Sequence, residues 1–176
     1  MTDKIRCDYA SVGIIARDSE DRILLVERMK FPFGWAPPSG HCDGLSYGTA
    51  AFKEFEEETG LKIIGGLNPL IPKNPIKYFK CRRGGEYHDW QIFEVNWKGE
   101  LKPSRDETKN AKWHTVEEIC ELAEKTGCYL QRMQESIKAE EQSWVAGIQE
   151  SIEKEWQANP GLEPVWYEFF QELKII

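Results

Sequence analysis

The sequence of 176 residues contains no apolar run that approaches the length of a membrane span. Its first ten residues, MTDKIRCDYA, lack the apolar stretch of a signal peptide. It also lacks internal repeats and low-complexity segments. We therefore expect a cytoplasmic protein with no membrane partner.

Cysteine is sparse and shows no metal-binding spacing. The count is odd, and no two cysteines stand in a C-x-x-C arrangement. Such cysteines are typical of free thiols in a reducing compartment, so we expect neither a disulfide framework nor a zinc site. The five are Cys7, Cys42, Cys81, Cys120 and Cys128.

An excess of positive charge is also missing. The chain has 23 Lys and Arg against 30 Asp and Glu, a net charge of −7. Because a nucleic-acid backbone is itself negative, we expect no nucleic-acid partner. A small anionic substrate stays compatible with this charge if a bound cation inverts the local field. The length allows one domain with a sizeable core and an appendage.

The most informative stretch that is present runs through residues 35–61 and ends in a glutamate-rich helix. Glu54, Glu57 and Glu58 are spaced i, i+3 and i+4, which places them on one helix face, while Glu56 points elsewhere. Like charges this close repel one another. The arrangement indicates either a solvated acidic face or a site for a hard cation such as Mg²⁺ or Mn²⁺.

Signals at both ends define this helix. Ser46 is a plausible N-cap, Gly60 a C-terminal stop, and Ala51, Phe52 and Phe55 form an apolar side. The preceding loop is rich in glycine, which lets a backbone approach an anion or a metal closely. This context favours the cation site over the solvated face.

The stretch resembles the Nudix box, G-x5-E-x7-R-E-U-x-E-E-x-G-U, in which U is a bulky aliphatic residue. Its opening glycine is matched if the loop is one residue shorter than the family pattern. The matching residues are Gly40, Glu54, Phe55, Glu57, Glu58, Gly60 and Leu61.

Two positions depart from the box. Leu45 stands where the first Glu is expected, and Lys53 stands where the Arg is expected. In the family these two side chains are thought to brace the catalytic loop. The brace is therefore missing here or rebuilt, with Asp43 and Lys53 as the candidate pair, and Lys lacks the planar fork of Arg.

Strands are predicted at residues 9–16, 22–28, 61–70, 76–81 and 87–97 from their apolar runs and flanking turns. The first two are expected to form a hairpin, and so are the last two. The strand at 61–70 is expected to break at its glycine pair. The resemblance covers roughly residues 6–126 and implies an α/β fold, a Nudix-like α/β/α sandwich with a mixed sheet.

A helix is predicted after Thr115 and is expected to end near Gly127. We accordingly divide the chain into a Nudix-like domain, 1–127, and a C-terminal helical extension, 128–176. The extension ends in a short helix with an aromatic face. It is expected to pack on its own domain, or else to form a homodimer contact or a lid over the substrate.

The resemblance implies Mg²⁺-dependent hydrolysis of a phosphoanhydride bond in a nucleoside diphosphate linked to another moiety X. Glu54, Glu57 and Glu58, with the Gly40 carbonyl, would hold the metal ions. Either Glu54 or Glu107 would accept the proton of the attacking water, and the sequence does not choose between them. Lys53, which stands at the Arg position of the box, is counted with these glutamates among the candidate catalytic residues.

The rest of the substrate must be bound from outside the box. Arg82 and His41 are candidates to contact phosphate. Trp35 and Tyr78 are the foremost candidates to stack on a base. Four further aromatic residues are candidates for the same role: Phe31, Phe33, Tyr87 and Trp90. For each of the six aromatic residues, packing in the core is the alternative.

Two other functions stay open. The departures at Leu45 and Lys53 are compatible with a catalytically weak Nudix-like domain that binds or senses a nucleotide. The long helical tail is compatible with an assembly module.

Overall fold

The computed structural model describes residues 6–71, 75–143 and 147–176, with side chains described outside 140–143. The described part of the chain contains eight strands and four helices. In order they are β1 (Ala10–Ala16), β2 (Ile23–Arg28), β3 (Trp35–Ala36), β4 (Ser39–His41), α1 (Tyr47–Thr59), β5 (Lys62–Pro69), β6 (Ile76–Lys77), β7 (His88–Lys98), β8 (Thr108–His114), α2 (Val116–Ser143), α3 (Ile148–Ala158) and α4 (Pro164–Glu172).

The strands form two sheets, and helices cover them. One sheet has the order β4-β1-β7-β5, with β6 also paired to β7, and the other has the order β3-β2-β8. β1 and β7 run parallel and the other pairs are antiparallel. One apolar cluster lies under α1 and contains Phe55, while the other contains Trp166 of α4. The predicted α/β sandwich with a mixed sheet is confirmed.

The predicted hairpin of the first two strands is wrong, because β1 and β2 lie in different sheets. The turn between them forms as expected, since the Asp18 carboxylate accepts the Arg22 backbone N–H at 3.0 Å. Only an isolated bridge, Arg17 to Ile23, joins the strands there. β1 is buried on both faces and takes a central place beside β7, which a two-stranded hairpin does not provide.

The second predicted hairpin is present but short. β6 consists of Ile76–Lys77 alone, and Ile76 pairs with Asp89 of β7. β5 continues through its glycine pair with a register shift between Ile64 and Leu67, as a β-bulge allows. β8 was not predicted, because its sequence TKNAKWH is polar; it lies at the edge of the second sheet.

α2 passes straight through Gly127, contrary to the predicted end. A Cβ atom at that position would lie 3.6 Å from the Tyr167 hydroxyl of α4, so the small residue lies where the two helices approach. Thr115 caps the helix as predicted: its Oγ1 accepts the Glu118 N–H at 3.3 Å, and Glu118 accepts the Thr115 N–H at 3.0 Å. None of the helices described has the length and apolar character required to cross a membrane.

The C-terminal segment completes the main core. Trp166, Phe169 and Phe170 are fully buried in the same cluster as Ile15 and Ile92 of the central strands. The predicted aromatic face therefore packs on the chain's own sheet, and it is not available for a dimer contact.

The chain just before α4 also joins the second sheet. Trp35 donates its N–H to Gly161 at 2.8 Å, and its carbonyl accepts the Glu163 N–H at 2.9 Å. These bonds extend β3 with residues 161–163. Residues 161–170 are thus bonded and packed into the same body as the two sheets.

Candidate active site

A groove of about 310 Å³ opens where α1, the loop before it and the turn after β6 meet. Its wall has five basic and five acidic side chains. The basic ones are Arg28, Lys30, Lys53, Arg82 and Arg83, and the acidic ones are Asp43, Glu54, Glu57, Glu58 and Glu107. Gly40 and His41 also line it, so most of the residues predicted from the sequence meet here.

The caps and packing of α1 aim its glutamates into this groove. The Ser46 hydroxyl accepts the Thr49 N–H at 3.2 Å, and Gly60 ends the helix at φ 73°. Phe55 is fully buried beneath the helix, whereas Phe52 is 44% exposed and does not belong to the apolar side as predicted. Glu56 faces away from the groove and pairs with Lys62.

Among the acids of the groove, Glu54 and Glu58 have strongly raised pKa values. Burial raises the pKa of Glu58 to about 8 against the opposing charge of Arg28, and its Oε2 accepts the Ser39 N–H at 2.9 Å. Burial and neighbouring carboxylates raise the pKa of Glu54 to about 7. A Cβ atom at Gly40 would overlap the Glu54 carboxylate, which explains the glycine in the loop.

Lys53 and Arg83 form ion pairs with three acids of the groove. The Lys53 ammonium lies 3.7 Å from Glu54 Oε1 and 3.6 Å from Glu57 Oε2. Asp43 pairs with Arg83 through both carboxylate oxygens, and this contact lowers the Asp43 pKa. The suggested brace between Asp43 and Lys53 is therefore wrong: Asp43 is held by the planar fork of an arginine from another loop.

The donors fit a hard divalent cation. Glu54, Glu57 and Glu58 offer carboxylate oxygens, and burial raises the pKa values of Glu54 and Glu58, a cost of the charged form that a bound cation would offset. In the described part of the chain, the one group of metal-type ligands gathered within 4.8 Å lies elsewhere. The glutamates are thus more widely spaced, as suits Mg²⁺, which is bound through one or two carboxylates and keeps several waters.

Sequence reasoning missed Arg28 and Glu163. Arg28 ends β2 in the groove wall, with its Nε 3.5 Å from the buried Glu163 Oε2. Glu163 comes from the segment before α4, so a residue of the C-terminal extension positions a groove arginine. An arginine at the end of a buried strand was the only sequence signal.

Trp35 and Tyr78 do not line the groove. The Trp35 ring packs edge-to-face on His114, with centroids 4.8 Å apart, and belongs to the core. Tyr78 is 78% exposed beside Tyr87. Contact of these two with substrate is therefore not supported, and Phe31 is the aromatic residue that reaches the groove.

His41 lines the groove and carries no charge near neutral pH. Burial, helped by the nearby Arg83 and His88, lowers its pKa to about 4. A neutral imidazole is a poor partner for phosphate but a good ligand for a soft metal. Arg82, in contrast, lies in the groove wall as a permanent cation.

A second cavity of about 470 Å³ adjoins the groove and shares Phe31 and Pro32 with it. The helices of the C-terminal extension form its far wall. Its lining is mainly apolar and aromatic and includes Phe33, Phe79, Tyr129, Met133 and Trp156.

A model of the NUDIX domain family matches residues 9–134. The RNA pyrophosphohydrolase of Pelagibacter ubique (strain HTCC1062) is 27% identical over an alignment of 124 residues, and the match covers 63% of this chain and 78% of that protein.

Solved structures show the same fold. A MutT protein from Methanosarcina mazei Go1 has a TM-score of 0.52 at 21% identity, over 65% of this chain and 81% of its own. A MutT NUDIX hydrolase from Burkholderia pseudomallei has a TM-score of 0.51 at 22% identity, over 62% and 84%. The sequence match over most of the chain shows that this protein belongs to the Nudix family of hydrolases.

Proposed function

We propose that this protein is a Mg²⁺-dependent hydrolase, with Mn²⁺ as an alternative ion, that cleaves the phosphoanhydride bond of a nucleoside diphosphate linked to a moiety X. The observation that carries the proposal is one groove that holds clustered glutamates of α1 and cationic side chains together. The acids are suited to a cation, and the basic groups are suited to the phosphates that the cation accompanies.

The basic side chains of the groove have distinct tasks in this proposal. Arg82 and Lys30 have no buried carboxylate partner and would bind the outer phosphate oxygens. Arg28 is fixed by Glu163 and would contact phosphate from a defined position. A planar guanidinium can donate two parallel hydrogen bonds to one phosphate, which orients the bond to be cleaved.

The acids of α1 would bind the metal and the loop would shape its site. Glu54, Glu57 and Glu58, with the Gly40 carbonyl, are the proposed ligands. When bound, the cation neutralises phosphate charge and favours attack by water. Glu54 and Glu107 both line the groove, and one of them would accept the proton of that water in this proposal.

The second cavity supports a large planar or apolar group as X or as the base. Phe31 lies in both the groove and the cavity, so a substrate whose diphosphate lies in the groove extends past this ring. Aromatic walls stack on bases and other flat rings. The C-terminal helices would then shape substrate specificity.

A substrate panel with and without Mg²⁺ tests the proposal. It should contain nucleotide sugars, dinucleoside polyphosphates, nucleoside triphosphates and, given the name of the Pelagibacter relative, a 5′-triphosphorylated RNA. We expect metal-dependent release of a nucleoside monophosphate from a small member. The net charge of −7 disfavours the RNA. Tight binding of one member without turnover of any would support the sensor function instead.

A further inference from the structure

Four metal-type ligands converge beside the groove, outside the glutamate cluster. They come from four separate parts of the chain: the segment before β1, strand β4, the turn after β6, and the start of β7. All four ligand atoms lie within 4.8 Å of one another. The residues are Cys7, His41, Cys81 and His88.

The cluster is already close to the dimensions of a tetrahedral site. Cys7 Sγ and His88 Nε2 are 3.1 Å apart, and the rings of His41 and His88 lie at 82° with centroids 5.0 Å apart. Zinc bonds of about 2.3 Å to sulfur and about 2.0 Å to nitrogen place tetrahedral ligands roughly 3.3–3.8 Å from one another. Small side-chain movements suffice to reach this geometry.

His41 supplies an independent sign of a missing partner. Its Nε2 is buried and has no hydrogen-bond partner among the described residues. A buried polar nitrogen without a partner costs about 1–3 kcal/mol, so such atoms are normally satisfied. A metal ion between the four side chains would satisfy it.

A backbone N–H lies against the sulfur of each cysteine. The Tyr9 N–H points at Cys7 Sγ at 3.3 Å, and the Gly85 N–H points at Cys81 Sγ at 3.2 Å. Hydrogen bonds to sulfur stabilise its anionic form, which is the form that binds metal. Gly85 also leaves the space that Cys7 Sγ occupies, since a Cβ atom there would overlap the sulfur.

We propose that these four side chains bind a structural Zn²⁺ ion. Two thiolates and two imidazoles in a tetrahedral arrangement are a zinc donor set, whereas Mg²⁺ and Mn²⁺ prefer oxygen. All four positions are filled by protein, which is the mark of a structural and not a catalytic zinc. The cysteine spacing in the sequence gave no sign of such a site, because the fold unites ligands that are far apart in sequence.

The ion would fix the edge of the groove. Cys81 anchors the turn that carries Arg82 and Arg83, and His41 anchors the loop before α1. Arg83 then holds Asp43 of that loop. The zinc and this ion pair together would replace the loop brace that Leu45 and Lys53 do not provide.

Metal content and cobalt spectroscopy test the site directly. We expect one zinc per chain by mass spectrometry of protein purified without chelator and dialysed. Cys7→Ser and Cys81→Ser should each lose that zinc, while Cys120→Ser and Cys128→Ser, whose cysteines lie outside the cluster, should keep it. Co²⁺ added to metal-free wild-type protein should show the visible bands of a tetrahedral ion with thiolate charge transfer.

The wild-type spectrum keeps the test valid if a variant fails to fold. Octahedral Co²⁺ bands without thiolate charge transfer would overturn the proposal. So would a disulfide between Cys7 and Cys81 in protein purified under reducing conditions, or equal zinc retention in the Cys7→Ser and Cys128→Ser variants. Glu57→Gln should keep the zinc whatever happens to turnover, which separates this site from the proposed reaction.

Discussion

At the scale of single residues, the direction of each α1 glutamate decides its expected role. Glu57→Gln and Glu58→Gln should lower metal-dependent turnover by orders of magnitude, because each would remove a proposed metal ligand from the groove. Glu56→Gln is the matched control and should leave turnover nearly unchanged, since Glu56 pairs with Lys62 outside the groove. Steady-state kinetics at saturating Mg²⁺ measures this, and equal losses at all three positions would contradict the site.

Proton release gives a second prediction at this scale. Burial raises the pKa of Glu54 to about 7 and of Glu58 to about 8, so the metal-free groove holds protons at neutral pH. Bound Mg²⁺ requires carboxylates, so binding releases protons and the affinity should rise as the pH rises from 6 to 8. Calorimetric titration at several pH values measures the trend. A flat affinity would show that neither group is a ligand.

The sequence identified groove residues correctly where a short local pattern contains them. The three glutamates and Gly40 were found because one helix and one loop hold them. Arg28 and Glu163 were missed because their contact joins distant segments. The sequence left Trp35 open between base stacking and core packing, because the exposure of an aromatic ring depends on what packs over it, which here is His114 and the core.

At the scale of elements, the turn after β6 and the loop before α1 depend on each other. Arg83→Ala should lower kcat/KM about tenfold, since Asp43 loses its bidentate partner and the loop loosens. Arg83→Lys should recover part of the loss, because an ammonium pairs without the planar fork. Arg105→Ala, an exposed arginine outside the groove, is the control. Kinetics identical for Arg83→Ala and the control would refute the brace.

Elements were predictable where caps and periodicity agreed. α1 has Ser46 and Gly60 at its ends and was placed correctly. β8 was missed because an edge strand needs little apolar character. The end of α2 was misplaced because a glycine is typical of a helix C-terminus, whereas Gly127 lies within the helix at the point where Tyr167 approaches it. The pairing of strands depends on contacts between residues that are far apart in sequence, and for this reason the sequence prediction wrongly paired β1 with β2.

At the scale of the whole molecule, the C-terminal segment belongs to the core. Trp166→Ala should lower the free energy of unfolding by about 3–5 kcal/mol, because it empties a fully buried site between α4 and the central strands. Phe52→Ala is the control, since that ring is 44% exposed and should cost much less. Urea denaturation followed by tryptophan fluorescence and circular dichroism measures both.

A deletion tests the same point more severely. A chain that stops after Gly127 loses Trp166, Phe169 and Phe170 and exposes the face of the sheet that they cover. We expect it to be insoluble or to lack a cooperative unfolding transition. A soluble fragment with an unchanged denaturation midpoint would show that residues 128–176 are an independent appendage, as the division at 127 supposed.

The pairing of residues 161–163 with β3 has a consequence for biosynthesis. The strands β1 to β8 leave the ribosome long before this segment does, so the nascent chain carries an uncovered apolar face until residues 161–170 have emerged. We expect the core to close only after that point. Arg28 lacks its partner Glu163 until then, so the proposed hydrolysis should begin only once α4 has docked.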